Sequence, residues 1–384
     1  MLLTVKLGFD HPCREFLRIV TLLMITLACA IASLFALQTA PPAAGSSSQY
    51  GHSPALSRSA PRSNVPTAAT SDVTLAAAAR RGHVVATEPV QSLAVISVPT
   101  RRIILGVSVV QGFWNTGEIA SFSKSVGLSP QIVMNYQGWA YPAASLTDFP
   151  AKQMTSMVAA GYQPEITWEP WNGSDGVNQS DFSLESIIDG SHDAYIRTWA
   201  EAAKAWGGRF LLRFAEEMNG NWRPWGVGVN GNLPGQYVQA WRHVHQLFQQ
   251  VGASNVTWVW SPNVVTDGST TAQLKSLFPG PSYVDVIGID GYTYPKAACQ
   301  TGGALFGKTM DEVKLIAPGT PVMIAETGIA TSCSNRSELM AQLYHWVQLQ
   351  PTIEAVTWFD HAGSPDYQID NDPSAGAAIR QALG

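Results

Sequence analysis

From Arg102 to the end of the chain, short apolar runs alternate with longer amphipathic runs. The short runs have the length and composition of strands, and the longer ones have the spacing of helices. Repeated strand–helix units over roughly 280 residues are typical of the α/β class and predict a (β/α)8 TIM barrel, which usually takes about 250 residues. A doubly wound open sheet is the alternative, but no glycine-rich phosphate loop follows the first strand. The predicted strands are Ile103–Val110, Gln131–Tyr136, Gln163–Trp168, Phe210–Ala215, Val256–Ser261, Val284–Asp290, Val322–Glu326 and Ile353–Phe359. The clearest helical stretches are His192–Trp206, Tyr237–Val251, Leu305–Ile316 and Arg336–Leu349.

Residues 1–38 contain an almost wholly apolar run, Ile19–Leu37, which follows Lys6, Arg14 and Arg18. Such a segment is either a signal peptide or a membrane anchor. Because the residues after the run form a poor cleavage site, we expect an uncleaved anchor with its basic end in the cytoplasm. A cleaved signal peptide is the alternative, and both place the rest of the chain outside the cell.

Residues 39–100 are rich in Ala, Ser, Pro, Thr and Gly and contain few large apolar side chains. A segment of this composition cannot bury enough surface to fold, so it predicts a disordered, flexible linker. Three parts follow: a signal peptide or anchor at 1–38, the linker at 39–100 and the barrel at 101–384. We expect an extracellular monomer, secreted or attached to the membrane only through its N-terminal segment.

The composition narrows the classes of function. Of the 384 residues, 46% are hydrophobic and 13% are charged, so the chain can bury a large core. The net charge of -5 gives no basic surface for nucleic acid. No Cys/His pattern has zinc spacing, and we expect neither a metal nor a cofactor. Thirteen tryptophans are present, and those in an open cleft would stack on the apolar faces of sugars while others pack the core.

The four cysteines form two pairs by position. Cys13 and Cys29 lie in the N-terminal segment, whereas Cys299 and Cys333 follow two consecutive predicted strands. Loops after consecutive strands lie at the same end of a barrel, which brings the second pair near enough to bridge. In an exported protein we expect a disulfide between Cys299 and Cys333, with two free thiols as the alternative.

The segment Arg209–Trp225 carries the strongest signal for a functional site. Its apolar strand ends in two adjacent carboxylates, Glu216 and Glu217, and opens into a loop rich in Gly and Trp. Buried acids at a strand end cost free energy unless they have a function, although such acids can simply reach water. Strand alternation places Arg213 and Glu217 on one face, which we expect to line the barrel, and turns Glu216 to the other. We nevertheless expect Glu216 in the substrate site, because the strand is ending there.

The chemistry of such barrels lies at the C-terminal strand ends. Those ends gather carboxylates, amides and aromatic rings here, without a Ser–His pair at a nucleophile elbow. These are the groups that glycoside cleavage requires. The predicted catalytic pair is Glu217 after the fourth strand and Glu326 after the seventh, about 5–5.5 Å apart as in retaining enzymes.

Arg213 lies one layer below this pair and is expected to keep one carboxylate ionised, with a hydrogen bond from Tyr292. A structural acid paired with Arg213 is the alternative interpretation of Glu326. The remaining acids at the strand ends are expected to bind sugar hydroxyls or fix loops, and they are Glu169, Asp290 and Asp360.

The motif Arg213–Trp225, RFAEEMNGNWRPW, resembles the signature of glycoside hydrolase family 26, best known for endo-β-1,4-mannanases. The stretch Ala325–Gly328 is similar to the family's nucleophile strand. The resemblance covers about Arg102 to Gly384 and implies a (β/α)8 barrel in which Glu217 is the proton donor (acid/base) and Glu326 the nucleophile. It also implies substrate binding by Trp222, Tyr292 and Trp358. The residues at the strand ends add Arg213, Glu216 and Trp168 to the predicted substrate-binding set.

The chain departs from the family at one position in the motif. Family mannanases usually carry His immediately before the acid/base, where this chain has Glu216. Phe359 also stands where an arginine would contact a distal sugar. We therefore expect a retaining, endo-acting β-glycoside hydrolase of an extracellular polysaccharide, with β-1,4-mannan as the first substrate and a mixed-linkage or cellulose-like β-glucan as the alternative. A non-catalytic glycan-binding barrel of the cell surface is a second class, which the presence of both Glu217 and Glu326 disfavours.

Overall fold

The structure, a computed structural model, describes residues 101–141, 146–265, 270–370 and 372–384. Within these ranges eight parallel strands pair in chain order and close into a barrel, with helices between them, which confirms the predicted fold. The strands are β1 (Ile104–Val109), β2 (Ile132–Ala140), β3 (Gln163–Asn172), β4 (Phe210–Phe214), β5 (Val256–Trp260), β6 (Val286–Thr293), β7 (Val322–Ile329) and β8 (Ile353–Asp360). The α-helices are α1 (Thr116–Val126), α2 (Ala151–Ala159), α3 (Leu184–Ile188), α4 (Asp193–Trp206), α5 (Gln236–Val251), α6 (Thr271–Lys275), α7 (Gly302–Ile316), α8 (Arg336–Gln348) and α9 (Pro373–Leu383).

The predictions for the anchor, the linker, Cys13 and Cys29 concern residues outside those the structure describes. In the described ranges, no helix has both the length and the apolar character needed to cross a membrane.

Four strands extend three or four residues further at their C-terminal ends than the apolar runs predict. β2 and β3 each run four residues past the predicted end, and β6 and β7 each run three. Most of the added residues are polar or small, and they continue the parallel ladder, as in the pairs Gly291–Thr327 and Tyr292–Gly328. Apolar content marks where a strand is buried, whereas pairing with a neighbour decides where it ends. The extension carries the candidate residues of β6 and β7 within regular structure.

The barrel interior is apolar at its N-terminal end and polar towards its C-terminal end. The apolar layer consists of Ile132, Val259, Met323, Ala325 and Ala355. Above it, Gly288 leaves space for its neighbours, since a Cβ there would lie 2.5 Å from the Ser261 hydroxyl oxygen and 2.8 Å from the Ala325 Cβ. The polar layer includes Arg213, whose guanidinium is fully buried.

Large aromatic rings fill the space between the barrel and its helices. Trp168 of β3 is stacked on Trp199 of α4 with ring centroids 4.6 Å apart, and Phe214 of β4 packs against Trp241 of α5 at 5.7 Å. Buried rings of this size supply much of the hydrophobic free energy of the core. Much of the tryptophan content therefore attaches helices to the barrel and does not face a cleft.

Polar side chains at the helix N-termini fix where several helices begin. The Asn115 side chain accepts from the Glu118 amide at the start of α1 (3.2 Å), Thr301 accepts from Ala304 at the start of α7 (3.3 Å), and Asp372 accepts from Ala375 at the start of α9 (3.0 Å). Each bond satisfies an amide that has no partner within the helix, worth about 1 kcal/mol.

Candidate active site

The backbone after β4 leaves the regular strand conformation. The strand ends at Phe214, and Ala215 and Glu217 adopt positive φ angles of 47° and 52°. This left-handed region is costly for residues other than glycine, so the surrounding structure must hold it. The Glu217 amide donates to the Ser261 carbonyl (2.7 Å), and the Glu216 carbonyl accepts from the Trp225 indole (2.5 Å). Strand alternation consequently stops before the two glutamates, and it does not turn Glu216 towards the helices.

The Glu217 carboxylate is 7% exposed and accepts two hydrogen bonds from neutral donors. The Trp222 indole N–H donates to Oε2 (2.6 Å), and the Asn263 amide donates to Oε1 (2.5 Å). The Arg223 Nε lies 4.0 Å from Oε2. Burial and the negative charge of Glu326 raise the pKa of Glu217 above its ordinary value, and the opposing effects of Arg223 and Trp222 are smaller.

The Glu326 carboxylate is 4% exposed and accepts bonds from three donors on three other strands. The Tyr136 hydroxyl of β2 donates to Oε1 at 2.5 Å. The Arg213 guanidinium of β4 also donates to Oε1, and the Tyr292 hydroxyl of β6 donates to Oε2. Burial alone would raise the pKa of Glu326, but the Arg213 charge and the two tyrosine bonds lower it below its ordinary value.

The two carboxylates thus have opposite protonation tendencies. Glu217 favours the neutral acid, which can give a proton to a leaving oxygen. Glu326 favours the anion, which can attack carbon or stabilise positive charge. Paired titratable groups whose environments separate their pKa values are the pattern expected of an acid and a nucleophile in one site.

The other acids at the strand ends have structural partners. Glu169 Oε1 lies 3.0 Å from Arg223 NH1, and Asp290 Oδ1 accepts from Arg213 NH1 at 2.8 Å. Asp360 is 2% exposed and accepts from the Ile369 amide (2.8 Å), which fixes the loop after β8. Burial raises the pKa of Asp360 to about 7.

Four residues predicted to bind substrate have no exposed surface: Arg213, Glu216, Trp168 and Trp358 are each 0% exposed. A side chain without exposed surface cannot touch a sugar, so this part of the prediction is wrong. Arg213 and Glu216 instead contact other charged groups. Trp168 and Trp358 project outward from the barrel, where Trp358 donates to the Tyr367 carbonyl (3.0 Å).

The inward ring of β8 is Phe359, one residue after Trp358. It is half-buried and meets Tyr136 and Tyr292 edge-on, with centroid distances of 6.4 and 5.5 Å. His361 stacks on Phe359 at 3.8 Å. Phe359 therefore lies beside both tyrosines that bind Glu326, where its face can meet a substrate.

Sequence reasoning also left Tyr136, Arg223 and Asn263 without a role. Tyr136 has a signal in retrospect, since it lies two residues after Met134, on the same face of a strand that points inward. The indication for Arg223 is weaker. The strand ends place several carboxylates at one rim, and Arg213 is the one cation assigned to neutralise them, so a second cation near the rim is expected. Asn263 lies just past the end of β5, where amides were noted but no role was assigned.

Substrate-sized space adjoins Glu217. Trp222 is 47% exposed although its indole N–H is bound to Glu217. An open cavity of about 720 Å³ lies beside it, a volume common for ligand sites. Its lining comprises Glu217, Trp222, Asn263, Val264, Val265, Tyr292, Tyr294, Gln300, Ala304, Leu305 and Lys308.

Two loops at this rim are joined covalently. Cys299 and Cys333 form a disulfide with a Cα–Cα distance of 5.9 Å. Cys299 follows β6, next to Gln300 of the cavity lining, and Cys333 follows β7. In the part of the chain that the structure describes, no group of three or more Cys, His, Asp or Glu residues is arranged to hold a metal ion.

Comparison with known sequences places this site in a family. The profile of Glycosyl hydrolase family 26 matches residues 106–330. Endoglucanase H of Acetivibrio thermocellus is 31% identical over an alignment of 277 residues, which covers 69% of this chain and 29% of that protein. The mannan endo-1,4-beta-mannosidase A and B of Caldalkalibacillus mannanilyticus is 38% identical over 87 residues, 21% of this chain and 16% of that protein. The chain thus spans less than a third of the length of either relative.

Solved structures agree in fold. A mannanase of Bacillus subtilis has a TM-score of 0.54 at 18% identity and covers 73% of this chain and 86% of its own. A beta-mannanase of Bacteroides ovatus has a TM-score of 0.55 at 16% identity and covers 74% and 89%. At these identities the likeness concerns the fold alone. The profile match spans more than half of the chain, including the motif around Glu217, and on that ground the chain belongs to glycosyl hydrolase family 26.

Proposed function

We propose that this protein is a retaining, endo-acting β-glycoside hydrolase that cleaves an extracellular polysaccharide, with β-1,4-mannan as its first substrate. One observation carries the proposal: two buried carboxylates at the same rim of the barrel have opposite pKa displacements, upward for Glu217 and downward for Glu326. Glycoside hydrolysis by a carboxylate pair requires this division between a proton donor and an ionised partner, and in a retaining enzyme the ionised partner is the nucleophile.

In the first step, a carboxylate oxygen of Glu326 attacks the anomeric carbon and forms a glycosyl ester. The bond between that carbon and the leaving oxygen breaks, and the Glu217 proton passes to the leaving oxygen. The Tyr292 hydroxyl and the Arg213 guanidinium hold Glu326 ionised and orient its oxygens before the attack. The cavity beside Glu217 and Trp222 is on the side where the leaving sugar would lie.

In the second step, Glu217 is a carboxylate and acts as a base. It removes a proton from a water molecule, whose oxygen attacks the anomeric carbon as the ester bond to Glu326 breaks. Glu326 returns to its anionic form and Glu217 to its acid form, so the cycle closes without a cofactor. Two inversions at one carbon give net retention.

The choice of glycan rests on relatives and on one residue. Mannan is supported by the local similarity to named mannanases. A β-glucan is the second candidate because the relative matched over 277 residues is named an endoglucanase. Glu216, in the place of the histidine usual in family mannanases, agrees with a substrate other than mannan.

The proposed place of action is outside the cell, with the chain secreted or held by its N-terminal segment and acting as a monomer. The apolar run Ile19–Leu37 and the Cys299–Cys333 disulfide support it, since disulfides persist in oxidising compartments.

The test is reducing-sugar release from a panel of β-mannan, mixed-linkage β-glucan, cellulose and β-xylan, with the anomer of the first product followed by NMR. Release from mannan with a β-configured product and a rapid fall in polymer length is the expected result. Activity confined to a glucan would replace the substrate, and an α-configured product would overturn the retaining mechanism. Binding to a glycan without cleavage by the intact protein would support the non-catalytic alternative.

A further inference from the structure

Arg223 lies in the loop after β4 and packs against two aromatic rings. Its guanidinium carbon is 5.3 Å from the ring centre of Trp171 and 5.7 Å from that of Trp225. The side chain is 19% exposed. Arginine is suited to such a place, because its planar cation stacks on rings while its N–H groups point outward in the plane.

Two buried carboxylates from different strands converge on this one guanidinium. Glu169 Oε1, from β3, lies 3.0 Å from NH1, and Glu216 Oε1, after β4, lies 2.9 Å from NH2. The remaining nitrogen, Nε, has no hydrogen-bond partner among the described residues and lies 4.0 Å from Glu217 Oε2. The one guanidinium thus forms ion pairs with Glu169 and Glu216 and lies near Glu217, and its distance to Glu217 is the longest of the three.

The left-handed residues on either side of Glu216 account for this arrangement. With Ala215 and Glu217 at positive φ, the chain places consecutive glutamate side chains against the same arginine. The Tyr237 hydroxyl donates to the Ala215 carbonyl (3.1 Å), so α5 supports the strained turn from below. Since Glu216 is 0% exposed, its role is towards Arg223 and not towards a sugar.

We propose that Arg223 is a positioning residue for Glu217, and that Glu169 and Glu216 are the counterions that hold its guanidinium in place and moderate its charge. The inference rests on the proposed function, because it assigns Arg223 to the proton donor of that reaction. A purely structural ion pair would affect only the fold. In this proposal the transfer of the Glu217 proton to the leaving oxygen also depends on Arg223.

The two carboxylates paired with Arg223 reduce the effect of its positive charge on the protonation of Glu217. Arg223 alone would favour the carboxylate form of Glu217 and oppose its work as an acid. Burial and the charge of Glu169 raise the pKa of Glu216 to about 7, with Arg223 opposing, so Glu216 gains negative charge as the pH passes neutrality. That charge counteracts Arg223 at Glu217. Other charged or titratable groups near Glu217 are Glu326 of β7 and Asp290 and Tyr292 of β6, and the cavity beside Glu217 is also lined by Tyr294 and by Lys308 of α7.

The first experiment replaces Arg223 with Lys, which keeps the charge but loses the fork that spans two carboxylates. The readout is kcat/KM on the polysaccharide and on an aryl glycoside whose leaving group needs no proton. We expect about a 10²-fold loss on the polysaccharide, the scale of general acid catalysis, and a loss within about 3-fold on the activated glycoside. Arg242→Lys is the matched control, because Arg242 also lies over a ring, that of Tyr283, and belongs to α5.

The second experiment replaces Glu216 with Gln and follows the pH dependence of kcat/KM. Loss of a neighbouring negative charge lowers the pKa of Glu217, so the basic limb should move to lower pH by about half a unit to one unit. Glu216→Gln keeps the side-chain volume, and it tests the proposal even where Arg223→Lys does not fold.

Equal losses on both substrates for Arg223→Lys would overturn the positioning role, since a distorted cleft harms both reactions alike. An unmoved basic limb in Glu216→Gln would overturn the role of the counterions. A wild-type protein that cleaves neither substrate would refute the proposed function instead. In that case the Glu217 carboxyl is titrated by 13C NMR, with Glu217→Gln for its assignment, and a pKa unchanged between wild type and Glu216→Gln would refute the electrostatic part by itself.

Discussion

Two arginines divide the rim of the barrel into two differently charged regions. Arg213 bonds Glu326 directly and also bonds Asp290 at 2.8 Å. Arg223 also binds two carboxylates, Glu169 and Glu216, but lies 4.0 Å from Glu217. Each region has one guanidinium and buried acids in excess, yet the pKa of Glu326 is lowered and that of Glu217 is raised.

The difference shows that burial alone does not decide the protonation of these acids. Burial opposes the charged form of both carboxylates. Three charged or hydroxyl donors overcome it at Glu326, whereas the two hydrogen bonds described for Glu217 come from the neutral Trp222 and Asn263. Direct contact with the cation is the feature that separates the two regions, and the predictions below test the different roles that follow for Glu326 and Glu217.

The largest effect is expected at Glu326. Glu326→Ala removes the attacking carboxylate, so kcat on every substrate should fall by about 10⁴-fold or more, activated aryl glycosides included. Azide could then give at most the α-glycosyl azide by direct displacement. Glu354→Ala, an exposed acid of β8, is the control. Turnover of an aryl glycoside near the wild-type rate would remove Glu326 from the mechanism.

Glu217→Ala should fail in a different manner. We expect a loss of about 10² to 10⁴-fold on polysaccharide, but retained formation of the glycosyl ester from an activated aryl glycoside. The ester should accumulate because no base activates water, and azide should release it as the β-glycosyl azide. Mass spectrometry detects the ester and NMR the azide anomer. An α-azide from this variant would reverse the assignment of the two regions.

The Glu165 carboxyl tests whether the positive charge of Arg213 interacts with the carboxylates of Glu326 and Asp290 alone. Glu165 of β3 is 0% exposed, and neither of its carboxylate oxygens has a hydrogen-bond partner among the described residues. Burial raises its pKa from 4.5 to about 7, with Arg213 opposing and Glu326 adding to the rise. Because the folded-state pKa is higher than the unfolded one, this group's stabilising contribution is complete below about pH 4.5 and is lost as the pH rises through 7.

Glu165→Gln should therefore be more stable than the wild type at pH 8, by up to about 3 kcal/mol, and nearly equal to it at pH 4. Urea unfolding at both pH values measures the difference, with Glu354→Gln as the exposed control. A variant that is less stable at pH 8 would mean that Glu165 is ionised and paired with Arg213, and the two regions would then share that cation.

The smallest effect is expected at Trp222. Trp222→Phe keeps an aromatic ring but removes the N–H that donates to Glu217 at 2.6 Å. That bond lowers the pKa of Glu217, so its loss should raise the basic limb of kcat/KM by less than about 1 pH unit. Trp114→Phe is the control, because Trp114 is an exposed indole in the short 3-10 helix Gly112–Trp114 after β1. A basic limb that moves to lower pH in Trp222→Phe would show that the indole bond favours the neutral acid form of Glu217, which would contradict the assignment made here for the Glu217 side of the rim.

Some features of the site followed from the order of residues alone. The alternation of strand and helix patterns identifies the barrel, and the barrel brings the ends of β4 and β7 to one rim. This is enough to select Glu217 and Glu326 and to bring Cys299 near Cys333. It also places Arg213 inside the barrel, because alternation holds as far as Phe214.

Only the tertiary structure decided which rim residues are exposed and which charges meet. Trp358 and Phe359 are neighbours in sequence, but pairing with β1 turns the first outward and the second towards the tyrosines. The left-handed angles at Ala215 and Glu217 depend on bonds to Ser261, Tyr237 and Trp225, so no local pattern predicts them. A strand's sequence determines its own period, whereas pKa values and exposure depend on contacts between strands far apart in the chain, which form only when the barrel closes.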